Sequence, residues 1–191
     1  MQYLIFDNMT ECSEQEIARL LPLVSDQRRE QALRYKHLFG QYCCLKSYEM
    51  LTELLASTSY KLDPRPTFIY NEHGAPSLPG GPYFSLSHSK RGIAVAISDE
   101  PIGIDIEAIR PLSEGLVQRA MNPQEQAQIA AAANPEQEFI RLWTRKEAYV
   151  KMQGTGIISD MHKILCDMLP VNWMEVIRED KGYICTIVEK K

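Results

Sequence analysis

The sequence has few cysteines, and their spacing gives no sign of a disulfide framework or a zinc site. The five cysteines, at positions 12, 43, 44, 166 and 185, form no C-x-x-C pair, and their number is odd. This usage favours reduced thiols in a cytoplasmic protein over a secreted, cross-linked one. We therefore expect the fold to depend on an apolar core.

Long apolar runs and an excess of positive charge are also absent. No run reaches the length of about 18 apolar residues that a membrane helix needs. The apolar start of the chain meets Asp7 at once, unlike a signal peptide. The formal net charge of −4 gives no reason to expect a nucleic-acid or membrane binder. With 191 residues, 45% of them hydrophobic and 24% charged, the chain has the composition of a globular protein.

One segment combines an apolar helix face with chemically active side chains. Residues 135–153 predict a helix that begins after Asn134 and ends at Gly154. One side of this helix carries three residues at positions i, i+4 and i+8, namely Trp143, Glu147 and Lys151. A surface pair between Glu147 and Lys151 on an ordinary amphipathic helix is the simpler explanation of the spacing alone.

A second segment, residues 102–107, predicts a strand with one isoleucine face. Asp105 and Glu107 project from the opposite face of this strand. Neighbouring carboxylates repel each other unless they are solvated or hold a cation. With oxygen ligands the natural cation is Mg²⁺, which usually brings substrate phosphates with it. A solvated strand face remains the alternative.

Basic residues cluster early in the chain. A helical region is predicted from Ser25 or Asp26 to about residue 56, with a kink or boundary at Gly40. Its first turns carry a local positive excess in an acidic protein, made up of Arg28, Arg29, Arg34, Lys36 and His37. Either these residues form a solvated helix face or they grip a phosphate.

Other patterns predict shorter elements around these segments. Strands are expected at residues 3–6, 67–70, 83–87, 93–98, 163–168, 173–178 and 183–188. Ser13 and Glu16 predict a capping box at the start of a helix over residues 14–23, and Pro123 predicts the start of another helix. His88 lies in a polar connection between two predicted strands and is expected to be exposed.

Four ordered blocks together resemble the 4′-phosphopantetheinyl transferase superfamily, specifically the single-chain type related to surfactin-synthetase activators. The blocks are Gly74-Ala75-Pro76-Ser77-Leu78-Pro79, Phe84-Ser85-Leu86-Ser87-His88-Ser89, Pro101-Ile102-Gly103-Ile104-Asp105-Ile106-Glu107 and Trp143-x-x-Lys146-Glu147-Ala148-x-x-Lys151. Each block alone is a weak signal, but the acidic strand followed by the Trp143 block is highly specific. The joint match favours the functional explanation of each segment.

The resemblance implies an enzyme that moves the phosphopantetheine arm of coenzyme A to a serine of an apo acyl or peptidyl carrier protein. The other product is adenosine 3′,5′-bisphosphate. The implied fold is α+β, a pseudo-dimer of two similar α/β halves with the active site in the cleft between them. We place the halves at residues 1–100 and 101–191 and expect a monomer. The carrier, and the tolerance for acyl-coenzyme A, stay open.

The resemblance also implies roles for single residues. Asp105, Glu107 and Glu147 would hold Mg²⁺ or Mn²⁺. Glu147 would act as the base, directly or through a water on the metal, and Lys151 would steady the leaving phosphate. The coenzyme A contacts would come from Arg28, Gly74, Pro76, Ser87, His88, Ser89, Lys146 and Lys151. Lys146 is the least certain of these, because its position points it away from the line of Glu147 and Lys151.

Some positions depart from the family pattern. Gln31, Cys43 and Ala75 stand where basic residues are common, which weakens the expected grip on the 3′-phosphate, with Lys46 as a possible substitute. Two alternatives to the transferase are a non-catalytic relative that binds coenzyme A and another Mg²⁺-dependent phosphoester enzyme. A carrier docking site is expected after the acidic strand, at Arg110, Leu112, Leu116, Val117 and Arg119, although the apolar members of this set would equally well pack the short helix there.

Overall fold

Two three-stranded antiparallel sheets, each covered by a long helix, make up most of the protein. The computed structural model describes residues 1–156, 161–166 and 170–191. The elements in chain order are β1 Gln2–Phe6, α1 Glu14–Leu20, α2 Asp26–Leu33, α3 Leu38–Ala56, β2 Ile69–Tyr70, β3 Pro76–Ser77, β4 Tyr83–Ser89, β5 Gly92–Ser98, β6 Ile102–Ala108, α4 Glu114–Ala120, α5 Pro123–Ala131, α6 Pro135–Gln153, β7 Val171–Arg178 and β8 Tyr183–Lys190. The mixture of helices and strands predicted from the sequence is confirmed.

The two sheets have the same connectivity. Their strand orders are β1-β5-β4 and β6-β8-β7, so in each sheet the first strand in the chain lies at one edge and the last lies in the centre. In each half a helix of 19 residues, α3 or α6, follows the edge strand in the sequence and precedes the other two strands of its sheet. The described parts of both halves are therefore built on the same plan.

The core lies in three layers between these elements. Ile93, Val95 and Ile97 point from β5 into the cluster under α3. Ala94 and Ala96 point from the opposite face of β5 into a second cluster, together with the isoleucines of β6. A third cluster joins α6 to the far face of the second sheet. The alternation of side chains along each strand thus allows the sheets to pack against each other while each binds its own helix.

Serine side chains connect the two sheets at their edges. The backbone N–H of Ile104 donates to Ser85 Oγ at 3.0 Å, and that of Ile106 donates to Ser87 Oγ at 3.3 Å. An edge strand carries backbone groups that need partners when they are buried. Hydroxyl groups of β4 supply these partners to β6 in place of a backbone ladder. We call this contact the serine seam.

The first predicted helix is shorter than expected. It ends at Leu20 and continues as a 3₁₀ turn, Leu21–Leu23, because Pro22 has no backbone N–H to continue the α-helical bonds. Ser13 caps it as predicted, accepting from the N–H of Glu16 at 3.2 Å. Glu16 binds Arg19 instead of closing a capping box. A complete box occurs instead at Asn122 and Glu125.

The predicted boundary at Gly40 was wrong. The chain breaks between α2 and α3, and Gly40 lies in the first turn of α3. A Cβ atom at this position would lie 2.7 Å from Cδ1 of Tyr35. The glycine therefore serves a close approach of the preceding loop and does not interrupt the helix.

Three strand predictions also needed correction. The strand expected at 67–70 is only the two-residue β2. His88 and Ser89, expected in a loop, lie inside β4, although His88 is exposed as predicted. The strand expected at 163–168 was wrong for its described part, where the 3₁₀ helix Met161–Lys163 and a turn occur. Positions 167 and 168 lie outside the described residues.

Candidate active site

The site is built on the contact between α6 and β6. Helix α6 begins and ends as its sequence predicts: the Asn134 side chain accepts from the N–H of Gln137 at 3.1 Å, and Gly154 adopts a left-handed conformation with φ 66°. A Cβ atom at Gly103 would lie 1.8 Å from the carbonyl oxygen of Ala148. Only glycine permits this approach, so Gly103 brings the acidic face of β6 directly onto α6.

Asp105 is the most confined residue of the site, with 3% of its surface exposed. Its Oδ1 atom accepts hydrogen bonds from Ser87 Oγ and from Lys151 Nζ, both at 2.7 Å. Its Oδ2 atom is buried and has no partner among the described atoms. Because an unpartnered buried oxygen is costly, this atom marks a place for a cation or a donor that arrives with a ligand.

Burial and mutual repulsion raise the pKa values of the other two carboxyls. Burial raises the pKa of Glu107 to about 7, with a further increase from the charge on Asp105 and an opposing effect of the nearby Trp143 indole. Burial and Asp105 likewise raise the pKa of Glu147, while Lys151 opposes the shift. Neighbouring carboxyls repel each other when all are ionised, and a cation shared between them would remove this repulsion.

The donor set fits Mg²⁺ or Mn²⁺ in its chemistry, since all three residues offer carboxylate oxygens and one of those oxygens is unpartnered. Their side chains are not gathered around a common centre. Among the described residues, no three acidic, histidine or cysteine side chains are close enough to hold a metal ion. The assignment of Asp105, Glu107 and Glu147 as metal ligands therefore stays a prediction.

A pocket of about 280 Å³ opens beside Lys151 and is lined from both halves of the chain. It brings together four of the predicted site residues, Gly74, Pro76, Glu147 and Lys151. Phe84 and Val150 supply apolar walls. Such a combination of apolar walls and a few convergent charged groups is typical of a small-molecule site.

Asn71, for which the sequence predicted no role at the site, shapes one rim of this pocket. Asn71 Oδ1 accepts from the N–H groups of His73 and Ala75 at 3.0 and 2.9 Å, and Nδ2 donates to the Gly154 carbonyl at 2.8 Å. The side chain thus folds the loop that contains Gly74 and fastens it to the end of α6. The turn-forming tendency of asparagine before glycine was the only sequence signal.

A smaller pocket of about 170 Å³ contains three further predicted residues, Arg28, Ser87 and His88. The Arg28 guanidinium donates to the Cys44 carbonyl at 3.0 Å, to Gln31 Oε1 at 2.9 Å and to Ser47 Oγ at 3.0 Å. Desolvation and the charge on Lys151 lower the pKa of His88, although much of its side chain is exposed. The pocket therefore offers one firmly held cation beside a mostly neutral imidazole.

Of the three positions that depart from the family pattern, Gln31 contacts a lining residue of this pocket, whereas Ala75 lines the larger pocket. Gln31 orients Arg28, as the contact above shows, and Cys44 rather than Cys43 lines the pocket. Lys46, the possible substitute, is not a lining residue of this pocket: its ammonium pairs with Glu49 at 2.7 Å and lies 4.6 Å from the centre of the Phe6 ring. Tyr35 is a lining residue that the sequence analysis missed.

Two predicted coenzyme A contacts are not brought to either pocket. Lys146 is fully buried on another side of α6, where its ammonium binds Glu125 Oε2 and the Met161 carbonyl at 2.7 Å and the Ala120 carbonyl at 3.1 Å. Ser89 is buried, and its hydroxyl accepts from the N–H of Arg91 at 3.3 Å in the turn after β4. Their side chains therefore hold the fold together locally.

The segment proposed for carrier docking packs partly against the core. Leu112, Leu116 and Val117 are half-buried against the cluster under α6. Arg119 is exposed and donates to the Gly115 carbonyl at 3.0 Å. These contacts agree with the alternative that the apolar residues mainly hold α4 in place.

No helix among the described residues is long and apolar enough to cross a membrane.

Comparisons with known proteins give a consistent family. A family model described as the 4′-phosphopantetheinyl transferase superfamily matches residues 101–188. A 4′-phosphopantetheinyl transferase of Bacillus subtilis is 32% identical over 172 residues, which cover 87% of this chain and 71% of the relative. The 4′-phosphopantetheinyl transferase Sfp of Bacillus subtilis (strain 168) is 32% identical over 150 residues, 76% of this chain and 66% of the relative.

Another relative matches a shorter stretch of the chain. The 4′-phosphopantetheinyl transferase AcpT of Escherichia coli (strain K12) is 43% identical over 107 residues, 52% of this chain and 54% of that protein. The matches thus cover 54% to 71% of the length of these relatives. The match to the first relative extends over most of both chains, and the acidic strand and α6 lie within the region that the family model matches. The chain belongs to the 4′-phosphopantetheinyl transferase superfamily.

Proposed function

We propose that the protein transfers the 4′-phosphopantetheine arm of coenzyme A to a serine of an apo carrier protein, releasing adenosine 3′,5′-bisphosphate. The observation that carries this proposal is that Glu147 and Lys151 line one pocket together with Gly74 and Pro76. Asp105 lies directly behind Lys151, held to it at 2.7 Å. This arrangement supplies a base, a cation and space for a nucleotide in one place.

The reaction needs a new bond from the serine oxygen of the carrier to the β-phosphorus of coenzyme A. The bond from that phosphorus to the bridging oxygen breaks, and the bridging oxygen leaves with adenosine 3′,5′-bisphosphate. Glu147 accepts the serine proton, and its raised pKa brings it closer to the working pH, as a base requires. Lys151 stabilises the charge on the leaving phosphate and donates a proton to it in this proposal.

Asp105, Glu107 and Glu147 would hold Mg²⁺ or Mn²⁺ in this proposal. A bound divalent ion supplies neutralisation of the pyrophosphate charge and polarises the phosphorus. The unpartnered Oδ2 atom of Asp105 supports this role. The chain's own part is to fix Asp105 through hydrogen bonds from Ser87 and Lys151.

The smaller pocket is proposed to receive phosphate groups of coenzyme A. Arg28 and His88 are its basic groups. The hydrogen bonds of Arg28 to Gln31 and Ser47 preorganise its guanidinium, which reduces the cost of ordering on binding. Gly74 and Pro76 are proposed to lie along the adenine. Lys146 and Ser89 are left out of this proposal, because both side chains are buried and bind other parts of the chain.

The two-half organisation is part of the proposal. We assign residues 1–100 to a half that mainly binds coenzyme A and residues 101–191 to a half that carries the acidic and lysine side chains. The equal strand order of the two sheets and the equal lengths of α3 and α6 support a pseudo-dimer with its site in the cleft. A chain that contains both halves is expected to act as a monomer, and its free cysteines suit a reducing, cytoplasmic setting.

The proposal is tested by incubating the protein with coenzyme A, Mg²⁺ and an apo acyl carrier protein, followed by intact-mass spectrometry of the carrier. The expected result is a gain of one phosphopantetheine. Glu147→Gln should abolish the gain, whereas Glu136→Gln, which alters an exposed glutamate of the same helix, should retain it. Omission of the metal should also abolish it.

Calorimetric titration with coenzyme A separates the alternatives. Binding without any gain in carrier mass, with several unrelated carriers, would indicate a non-catalytic relative. Absence of coenzyme A binding would instead favour another phosphoester enzyme, which would be sought with phosphate monoesters and Mg²⁺. Transfer by Glu147→Gln at the wild-type rate would contradict the assignment of the base.

A further inference from the structure

The Ser87 hydroxyl makes its hydrogen bonds within the protein, although the resemblance of the Phe84–Ser89 block implied a contact with coenzyme A. Its oxygen accepts the backbone N–H of Ile106 at 3.3 Å, and the hydroxyl lies 2.7 Å from Asp105 Oδ1. A hydroxyl has one donor and two acceptor positions. Because the backbone N–H already occupies an acceptor position and a carboxylate accepts only, the single hydroxyl proton is directed at Asp105.

The two donors on Asp105 reach the same oxygen atom. Ser87 approaches Oδ1 from β4, and Lys151 approaches it from α6. Oδ2 receives no donor from the described residues and is buried. Two donors on opposite elements prevent the carboxylate from exchanging its oxygens by rotation, so one oxygen is saturated and the other stays free.

We propose that Ser87 is a positioning residue that fixes the Asp105 carboxylate, leaving Oδ2 available as the ligand of a divalent cation. This inference rests on the proposed function for the identity of the cation, but its physical content is the orientation of one carboxylate. Partners that orient a ligating group typically change metal affinity by about 10–100-fold when they are removed. The role is distinct from binding coenzyme A, because the hydroxyl has no second proton to donate to a phosphate.

Ser85 provides the matched control. It lies two residues earlier on β4 and accepts the N–H of Ile104 at 3.0 Å, just as Ser87 accepts that of Ile106. No bond from Ser85 to an acidic side chain is seen among the described residues. Both serines therefore contribute to the seam between the sheets, and only Ser87 also orients Asp105.

The test measures Mn²⁺ binding to the full chain by electron paramagnetic resonance, which counts free Mn²⁺, in the presence and absence of coenzyme A. We expect Ser87→Ala to weaken Mn²⁺ binding about tenfold and Ser85→Ala to change it less than about twofold. Both variants should lower the midpoint of thermal unfolding by similar amounts, since each leaves one buried backbone N–H without a partner. Ser87→Thr restores the hydroxyl and should restore Mn²⁺ affinity.

Other outcomes would overturn the inference. Equal Mn²⁺ affinities of Ser87→Ala and Ser85→Ala would reduce Ser87 to a seam residue, and so would a wild-type protein that binds no Mn²⁺. If Ser87→Ala does not fold, Ser87→Cys carries the test, because it keeps a similar volume with only a weak donor. Ser87→Ala could weaken Mn²⁺ binding even though the wild-type protein transfers phosphopantetheine to no carrier. That result would support this inference and contradict the proposed function.

Discussion

Two lysines five positions apart on α6 meet opposite environments. Lys146 is fully buried, and its ammonium binds three oxygen atoms that belong to Glu125, Ala120 and Met161. Lys151 is 31% exposed at its side chain and borders a pocket, with Asp105 Oδ1 and the Ile104 carbonyl as its partners. The first lysine has its three donors satisfied, whereas the second keeps donor capacity for a ligand.

The two lysines of one sequence block therefore have different roles, one structural and one at the pocket. Lys146 and Lys151 belong to the same recognisable block, and a reader of that block would expect both at the substrate. The helical period sends them in different directions, and their surroundings complete the separation. Lys146 joins α6 to α5 and to the 3₁₀ helix Met161–Lys163. Lys151 borders the pocket in which we propose the reaction takes place.

The largest effect is expected at the buried lysine. Lys146→Met leaves Glu125 inside the protein without its cation, and it should lower the free energy of unfolding by about 3–5 kcal/mol. Chemical denaturation monitored by circular dichroism measures this loss. The double variant Lys146→Met/Glu125→Gln should recover part of it, because the glutamine keeps an acceptor for the Asn122 N–H without a buried charge. Additive losses in the double variant would contradict a buried ion pair.

The exposed lysine should show the reverse pattern. Lys151→Met should reduce the rate of phosphopantetheine transfer about 100-fold, since the charge of the leaving phosphate loses its cation. Its free energy of unfolding should fall by less than that of Lys146→Met, because Asp105 keeps the hydrogen bond from Ser87 and water can take the place of a partly exposed ammonium. Single-turnover kinetics and denaturation measure the two quantities. Lys190→Met, at an exposed position of β8, is the control and should match the wild type in both.

A glycine keeps the acidic strand close to Lys151, so its replacement should disturb one lysine and spare the other. Gly103→Ala places a methyl group against the Ala148 carbonyl and should cost about 1–3 kcal/mol of stability. Transfer activity should fall as Asp105 moves away from Lys151. Gly115→Ala is the control, because a Cβ atom there meets nothing within 4 Å. Wild-type stability and activity of Gly103→Ala would show that β6 does not depend on this close approach.

The smallest effect is expected at the rim of the pocket. Asn71→Asp keeps the oxygen that binds the loop N–H groups but loses the donor to Gly154. The KM for coenzyme A should rise about fivefold, equivalent to about 1 kcal/mol for one hydrogen bond, with a smaller change in kcat. Steady-state kinetics measure the split between the two constants. Asn172→Asp, at an exposed position of β7, is the control and should leave both constants unchanged. A fall in kcat of Asn71→Asp as large as the rise in KM would argue against an effect of the loop.

Local sequence signals were sufficient for the elements that carry the site. Helix α6 is bounded by Asn134 and Gly154 as predicted, and the isoleucines of β6 enter one apolar cluster, as the predicted isoleucine face requires. The convergence of Glu147, Lys151, Gly74 and Pro76 on one pocket followed from the resemblance rather than from local patterns. The break before α3 was placed wrongly, because the function of Gly40 depends on contact with the Tyr35 ring.

Long-range contacts explain what the sequence could not indicate. The commitment of Ser87 to Asp105 joins residues 18 positions apart, and the burial of Lys146 depends on Glu125 and on a carbonyl after α6. No periodic pattern or motif predicts either contact. The latch from Asn71 to Gly154 spans 83 positions, so only the folded chain reveals it.

The serine seam has a consequence for the protein's behaviour outside its reaction. Two hydroxyl contacts, at Ser85 and Ser87, shield the free edge of an isoleucine-rich strand. If the two sheets part during heating or folding, that edge becomes a template on which the β-strand of another molecule can pair. The same joint that holds the cleft in register therefore also protects the protein against aggregation, and a weakened joint would lead to turbid samples before complete unfolding.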